Sequence, residues 1–173
     1  KEINIGFDAF LFGGLSLSLD AFSQNRYDIL ASPASMIPGF AGMNAPQLNV
    51  GKVNNKGFEV QVGFQSKQTK DLTYFADLNI WFAKNQIVFI PEAIKENQYQ
   101  LSEGKRVNQP FLLESIGFFR DEADINNSPF HNFDRVQAGD IKYKDQNGDG
   151  IVDDRDFYPI GYTNLPELTI GLN

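Results

Sequence analysis

Apolar and polar residues alternate along two neighbouring stretches at the start of the chain. In 3–11, and for most of 15–25, apolar side chains occupy every second position. Because successive side chains of a β-strand point to opposite faces, this period predicts two strands that each have one apolar face. Gly13 and Gly14 lie between them and predict a tight hairpin turn.

The same period returns further along the chain. Apolar residues alternate with polar ones in 58–65 and in 72–82, and the polar stretch 66–71 predicts a second hairpin with a short turn. A last alternating stretch, 168–172, follows near the end of the sequence. The pattern therefore predicts an all-β chain of antiparallel strands.

Two other connections are predicted to be long. Residues 27–49 are rich in proline and glycine, and 87–114 are rich in Lys, Glu, Asn and Gln, with room for a short helix at 92–97. A brief apolar piece follows at 116–119, and a further irregular segment leads to Asp140.

The alternation of short turns with long loops narrows the fold class. Outer-membrane β-barrels have short turns at the periplasmic ends of their strands and long loops at the extracellular ends. The second strand, at about 11 residues, is near the length that crosses a bilayer in a tilted barrel. Periodicity alone fits a soluble β-sandwich, whose apolar faces form a core, equally well.

Composition excludes several classes of function. With 15 Lys and Arg against 22 Asp and Glu in 173 residues, the formal charge is −7, which argues against nucleic-acid binding. The absence of cysteine excludes disulfides, thiolate metal sites and cysteine nucleophiles. No apolar run approaches the roughly 18 residues of a spanning helix, and the opening KEINIGFDAF lacks the order of a signal peptide.

One segment, 145–156, has the spacing of a calcium loop. Oxygen-bearing side chains stand at positions 1, 3, 5, 9 and 12, position 7 can offer its carbonyl, and Gly150 stands at position 6, where such a loop turns sharply. The predicted ligands are Asp145, Asn147, Asp149, the carbonyl of Ile151, Asp153 and Asp156.

We expect this calcium to be structural. Six aspartates in 140–156 face Lys142, Lys144 and Arg155, a local charge of −6 + 3 = −3 that a cation would relieve. The residues on either side of 145–156 are not predicted to be helical. The sequence has no second cluster of ligands that would leave an open coordination position for catalysis. The alternative is a turn-rich acidic loop that is merely solvated.

Other candidate sites are weak. His131 is the only histidine, and Ser128 and Asp134 stand near it in sequence, but catalytic triads are assembled by the fold, so we assign this loop histidine no role. An aromatic group around Trp81 fits a core cluster and an interfacial girdle equally well; its other members are Tyr74, Phe75 and Phe82.

Four pieces of the sequence are more specific than the alternation, namely NKGFE at 55–59, the Lys84-Asn85 strand end, GDIKYKD at 139–145 with its following loop, and Gly161 with Pro166 before the final strand. In these pieces and in their order, nearly the whole chain resembles the C-terminal barrel region of SusC/RagA-type TonB-linked outer-membrane transporters.

The resemblance implies a TonB-driven importer of glycans or peptides and no enzymatic activity. Such transporters have a barrel of about 22 strands that is plugged from inside, and a SusD-like surface lipoprotein is their partner. We therefore expect 1–173 to be a partial barrel region that includes the calcium-type loop. TonB would act through parts of the protein that lie outside this chain.

The membrane interpretation assigns the two strand faces by chemistry, because a charge on the lipid face is costly. The residues expected to meet outer-membrane lipid are Leu15, Leu17, Leu19, Ala21, Val60 and Val62; those expected to line the lumen are Ser16, Ser18, Asp20 and Gln24. The rival hypothesis is a free-standing, calcium-stabilised β-sandwich that binds carbohydrate on aromatic platforms.

Overall fold

The computed structural model describes residues 1–33, 46–66 and 72–173. Most of the strand residues belong to one antiparallel sheet of five strands in the order β1-β2-β3-β4-β11. Its strands are β1 (Glu2–Leu11), β2 (Leu15–Ala31), β3 (Leu48–Gln65), β4 (Phe75–Phe89) and β11 (Leu168–Leu172).

Both predicted hairpins are present in this sheet. Strands β1 and β2 pair from Leu11 opposite Leu15 onwards, so the Gly13-Gly14 turn is as tight as expected. Strands β3 and β4 pair from Gln65 opposite Phe75, and residues 67–71 of the predicted short turn lie outside the described residues. The final alternating stretch is confirmed as β11, which pairs with β4.

The strands extend further than the alternation predicts. Strand β2 has 17 residues rather than about 11, and β3 begins at Leu48, so the two ends of the predicted long loop 27–49, at 27–31 and 48–49, are strand. The reason is a register shift between Arg26 and Ile29, where Asp28 has a positive φ of 58°. A bulge of this kind breaks the two-residue period without ending the strand. The part of this loop at 34–45 lies outside the described residues.

The second predicted long connection begins later than expected. Strand β4 continues to Phe89. The prediction of a short helix at 92–97 is wrong, because that stretch is irregular and a single 3₁₀ turn follows at Gln98–Gln100. The Glu92 carboxylate accepts hydrogen bonds from the backbone N–H groups of Ser102 and Glu103. These bonds fold the segment back on itself as a loop.

Short elements fill the rest of the chain between β4 and β11. They are β5 (Phe111–Leu112), β6 (Ser115–Phe118), α1 (Glu122–Asn126), β7 (Phe130–His131), β8 (Ile141–Tyr143), β9 (Ile151–Val152), a 3₁₀ turn (Asp154–Asp156) and β10 (Tyr158–Pro159). Helix α1, in a segment expected to be irregular, begins because the Asp121 side chain accepts a hydrogen bond from the N–H of Asp124. No helix in the described residues has the length and apolar character needed to cross a membrane.

The five-stranded sheet is a single layer. Its apolar face is open, with Ile5 71% and Phe7 58% exposed, and in the described residues no second sheet packs on it. The buried apolar side chains among these residues are Ile87, Phe119 and Val152. The β-sandwich alternative is therefore wrong, because a sandwich requires a second sheet that covers the apolar face.

Candidate functional site

The sheet register collects polar side chains on one face. Asp8, Ser18, Gln61 and Asn79 form one row across four strands, and the Ser18 hydroxyl donates a hydrogen bond of 2.6 Å to the Asp8 carboxylate. In the neighbouring row, Asp20 lies opposite Glu59. The predicted lumen residues, which are Ser16, Ser18, Asp20 and Gln24, all belong to this face.

The other face is apolar over four successive rows. Leu17 lies opposite Val62, and Leu19 lies opposite Val60. Phe58 and Phe82 lie opposite each other, and their rings stack with centroids 5.5 Å apart. The predicted lipid-facing residues all lie on this face, which completes an amphipathic wall of the kind that separates lipid from a wet lumen.

The aromatic residues do not form the single group that the sequence suggested. Trp81 lies opposite Glu59 on the polar face, whereas Phe82 belongs to the apolar face. The Tyr74 ring lies 5.8 Å from the Phe64 ring at the tight-turn end. A Cβ on residue 57 would collide with the backbone carbonyl oxygen of Phe82 and with the Phe22 ring, which explains why Gly57 is needed there.

The 145–156 segment is a compact loop organised by its own carboxylates. Asp145 accepts hydrogen bonds from the N–H groups of Gly148 (2.6 Å) and Gly150 (2.7 Å), and Gly150 has the positive φ of 85° that the sharp turn requires. The Asp156 carboxylate is fully buried and accepts hydrogen bonds from the N–H groups of Gln146 and Asp153. These contacts set the loop geometry.

Arg155 occupies the space between two of the predicted calcium ligands. Its Nη2 atom lies 2.8 Å from an Asp149 carboxylate oxygen and 2.7 Å from an Asp153 one. Hydrogen bonds from Arg155 lower the pKa of Asp153 below its usual value. Within the described residues no three acidic or histidine side chains converge as a metal site. The predicted ligand set therefore stays a prediction, with an internal cation beside two of its members.

Further contacts tie the loop to neighbouring segments. The Glu114 carboxylate accepts hydrogen bonds from Lys144 (3.1 Å) and Gln146 (2.6 Å), which lower its pKa. The Tyr99 hydroxyl donates a 2.6 Å hydrogen bond to the carbonyl of Arg155. These contacts hold the residues that follow β4 against the loop.

His131 is not the loop histidine expected from the sequence. It lies in β7, which pairs in parallel with β9, and it is only 7% exposed. Its ring packs edge-on against Phe119 at 5.2 Å, and its Nε2 atom has no hydrogen-bond partner in the described residues. Burial and then the charge of Lys142 lower its pKa. A single histidine outside any motif gave no signal for this position.

Sequence reasoning also missed an ion pair that fixes the approach to β11. The Arg106 guanidinium makes two hydrogen bonds to the Glu167 carboxylate, one of them through Nη2 at 3.0 Å. Both side chains are mostly buried, and the pairing lowers the pKa of Glu167. The two residues are 61 apart in sequence, so local patterns carried no signal for the pairing.

Comparisons with known proteins agree with this geometry. A family model described as TonB dependent receptor-like, beta-barrel, matches residues 1–169. TonB-dependent receptor P26 of Formosa agariphila is 26% identical over 182 residues, which cover 99% of this chain and 18% of that protein. TonB-dependent receptor SusC of Bacteroides thetaiotaomicron is 25% identical over 90% of this chain and 16% of its own length.

A solved structure shows the same fold. The RagAB peptide importer in its "open-open" state superposes with a TM-score of 0.65 at 18% identity, covering 99% of this chain and 18% of that one. The chain thus spans about a fifth of the length of the relatives that it matches. It belongs to the family of TonB-dependent receptor β-barrels, which are proteins of the outer membrane.

Proposed function

We propose that the whole protein imports an oligomeric nutrient, a glycan or a peptide, across the outer membrane at the expense of TonB-transmitted energy. The observation that carries this proposal is the wall itself, with predominantly polar rows on one face and four successive apolar rows on the other. A wall of this kind encloses a wet passage through lipid. The role is transport, not catalysis.

A SusD-like surface lipoprotein is the partner that we propose. The long connection between β4 and β11 lies at the end of the sheet opposite the Gly13-Gly14 turn. In barrels of this class the long connections face outward and the short turns face the periplasm. In this orientation the segment 90–167 would face outward and contact the lipoprotein or an incoming ligand. The other long connection, 27–49, would also contact the lipoprotein or the ligand.

Peptide tags test this orientation in the full-length receptor. We expect a tag beside Asn97 to bind antibody on intact cells. A tag between Phe12 and Gly13, where the turn opens into free space, should bind antibody only after the outer membrane is permeabilised. The reverse pattern would invert the topology and overturn the proposed role of the 90–167 segment.

Uptake tests the transport role separately. Cells that carry the receptor should accumulate at least one labelled member of a panel of oligosaccharides and peptides, and deletion of TonB should abolish that accumulation. Removal of the SusD-like lipoprotein should reduce it. Accumulation that is unchanged without TonB would contradict the proposal.

Calcium binding by the 145–156 loop is a separate proposal. Its support is the complete ligand spacing of Asp145, Asn147, Asp149, Ile151, Asp153 and Asp156, and the positive φ of Gly150 at the sharp turn. Because Arg155 already bridges two of these carboxylates, the ion would have to displace it. The role would be to stiffen the loop.

A further inference from the structure

The apolar face of the wall ends at a row of positive charge. Lys56 of β3 lies directly opposite Lys84 of β4, and Ser23 of β2 continues the row. The preceding row towards the tight turns holds the stacked Phe58 and Phe82 rings. The two lysines therefore mark the boundary at which the apolar face becomes polar.

In the part of the chain that the structure describes, neither lysine has an ion-pair partner. The Glu167 carboxylate feels the charge of Lys84 but is already held by both hydrogen bonds from Arg106. Like charges directly opposite each other on a sheet are destabilising. An anion between Lys56 and Lys84 would remove this cost.

The position of the row along the strand matches a membrane boundary. Eight residues separate Phe64, near the tight-turn end, from Lys56, which is about 27 Å of antiparallel strand. At a tilt of about 40° this corresponds to roughly 20 Å along the membrane normal, close to the height of the apolar band of membrane barrels. Because the row lies towards the long connections, this boundary belongs to the outer leaflet.

The surface around the row has the shape and chemistry of an amphipathic site. A cleft of about 430 Å³ is lined by three cross-strand pairs, which are Phe58 with Phe82, Lys56 with Lys84, and Asn54 with Gln86, together with Phe22 and Gly57. Aromatic surface, two ammonium groups and two amides follow one another outward along the strands.

We propose that Lys56 and Lys84 bind the phosphate of an anionic outer-leaflet lipid whose acyl chains lie on Phe58 and Phe82. The lysines supply charge-assisted hydrogen bonds and the amides of Asn54 and Gln86 lie at the level of the sugar or glycerol. The site lies on the outside of the wall, so it goes beyond nutrient import and does not depend on which nutrient is carried.

Native mass spectrometry of the full-length receptor in neutral detergent tests this site, with bis-phosphorylated lipid A as the probe. The double variant Lys56→Gln/Lys84→Gln should bind it roughly 25-fold more weakly, since each lysine at an anionic lipid surface contributes roughly fivefold. Lys56→Arg/Lys84→Arg should retain binding. Lipid A without its phosphates should bind the unaltered receptor as weakly as the glutamine variant binds the phosphorylated form.

The matched control is Lys52→Gln/Lys95→Gln, which removes the same charge from exposed positions outside the row and should leave binding unchanged. An equal loss in the control would show a general charge effect and overturn the site. Unaltered binding by the Lys56→Gln/Lys84→Gln variant would overturn it as well. Binding of inorganic pyrophosphate as tight as that of lipid A would show a free-anion site and also contradict the proposal.

Discussion

Two buried polar residues carry much of the order in the segment between β4 and β11. Asp156 is completely buried with its carboxylate satisfied by backbone N–H groups, whereas His131 is almost as buried with Nε2 unsatisfied. Burial penalises a polar group that has no partner. The two residues therefore respond in opposite ways to substitution.

Replacement of Asp156 should open the 145–156 loop. Asp156→Ala would leave the N–H groups of Gln146 and Asp153 without their acceptor, a cost of roughly 2–4 kcal/mol to the local stability. Hydrogen exchange of the full-length receptor should then show faster exchange across this loop. Asp154→Ala, at the exposed neighbouring position, is the control and should leave exchange unchanged.

The stability around His131 should fall as the pH falls. Because the pKa of His131 is lower in the folded state, the unfolded state takes up its proton more readily. The contribution of neutral His131 to the stability is fully present above the ordinary histidine pKa of about 6.5. It decreases as the pH falls from there to the lower pKa of the folded state. The nearby Lys142 forms an ion pair of 2.9 Å with Asp124.

His131→Phe separates this effect from the titration of other groups. It keeps a ring against Phe119 but removes the proton. Between pH 7.5 and 5.5, the exchange protection of β7 should fall in the unaltered receptor and fall less in the variant, after correction for intrinsic exchange rates. An identical fall in both would show that His131 does not contribute.

At the scale of elements, the sequence predicted strands wherever one face is uniformly apolar. Leu17 and Val60 lie on one apolar face of the sheet, as their two-residue period predicts. Beyond Lys56 apolar and polar residues no longer alternate regularly, so the extensions of β2 and β3 left no such signal. Helix α1 and the Arg106–Glu167 pair depend on local capping and on long-range contact, which periodicity does not encode.

The acidic loop was found from its spacing, but the role of Arg155 was not. We expect calcium to bind weakly to the unaltered receptor, because the ion must displace a guanidinium from Asp149 and Asp153. Arg155→Gln should therefore raise calcium affinity in calorimetric titration. Asp145→Ala should abolish binding, while Asp154→Ala, outside the ligand set, should have little effect. A titration without heat in both the unaltered receptor and Arg155→Gln would remove the calcium proposal.

At the scale of the whole molecule, the sheet has the form of one part of a closed wall. Strands β1 and β11 are its edges, each paired on one side only among the described residues. Open edges and an open apolar face are stable only when further strands and lipid cover them. The chain spans about a fifth of the length of its relatives, and we expect further strands of the same barrel to pair with both edges.

The alternation of lipid and water along β2 tests this account most directly. These 173 residues contain no cysteine, so single cysteines can be introduced and spin-labelled at Leu17, Ser18, Leu19 and Asp20. The labelled protein is the full-length receptor in liposomes, with any cysteine elsewhere in the receptor replaced. Collision rates with oxygen report lipid, and those with a nickel chelate report water. We expect high oxygen and low nickel accessibility at 17 and 19 and the opposite at 18 and 20. Equal nickel accessibility at all four positions, or the reversed alternation, would contradict the barrel-wall assignment.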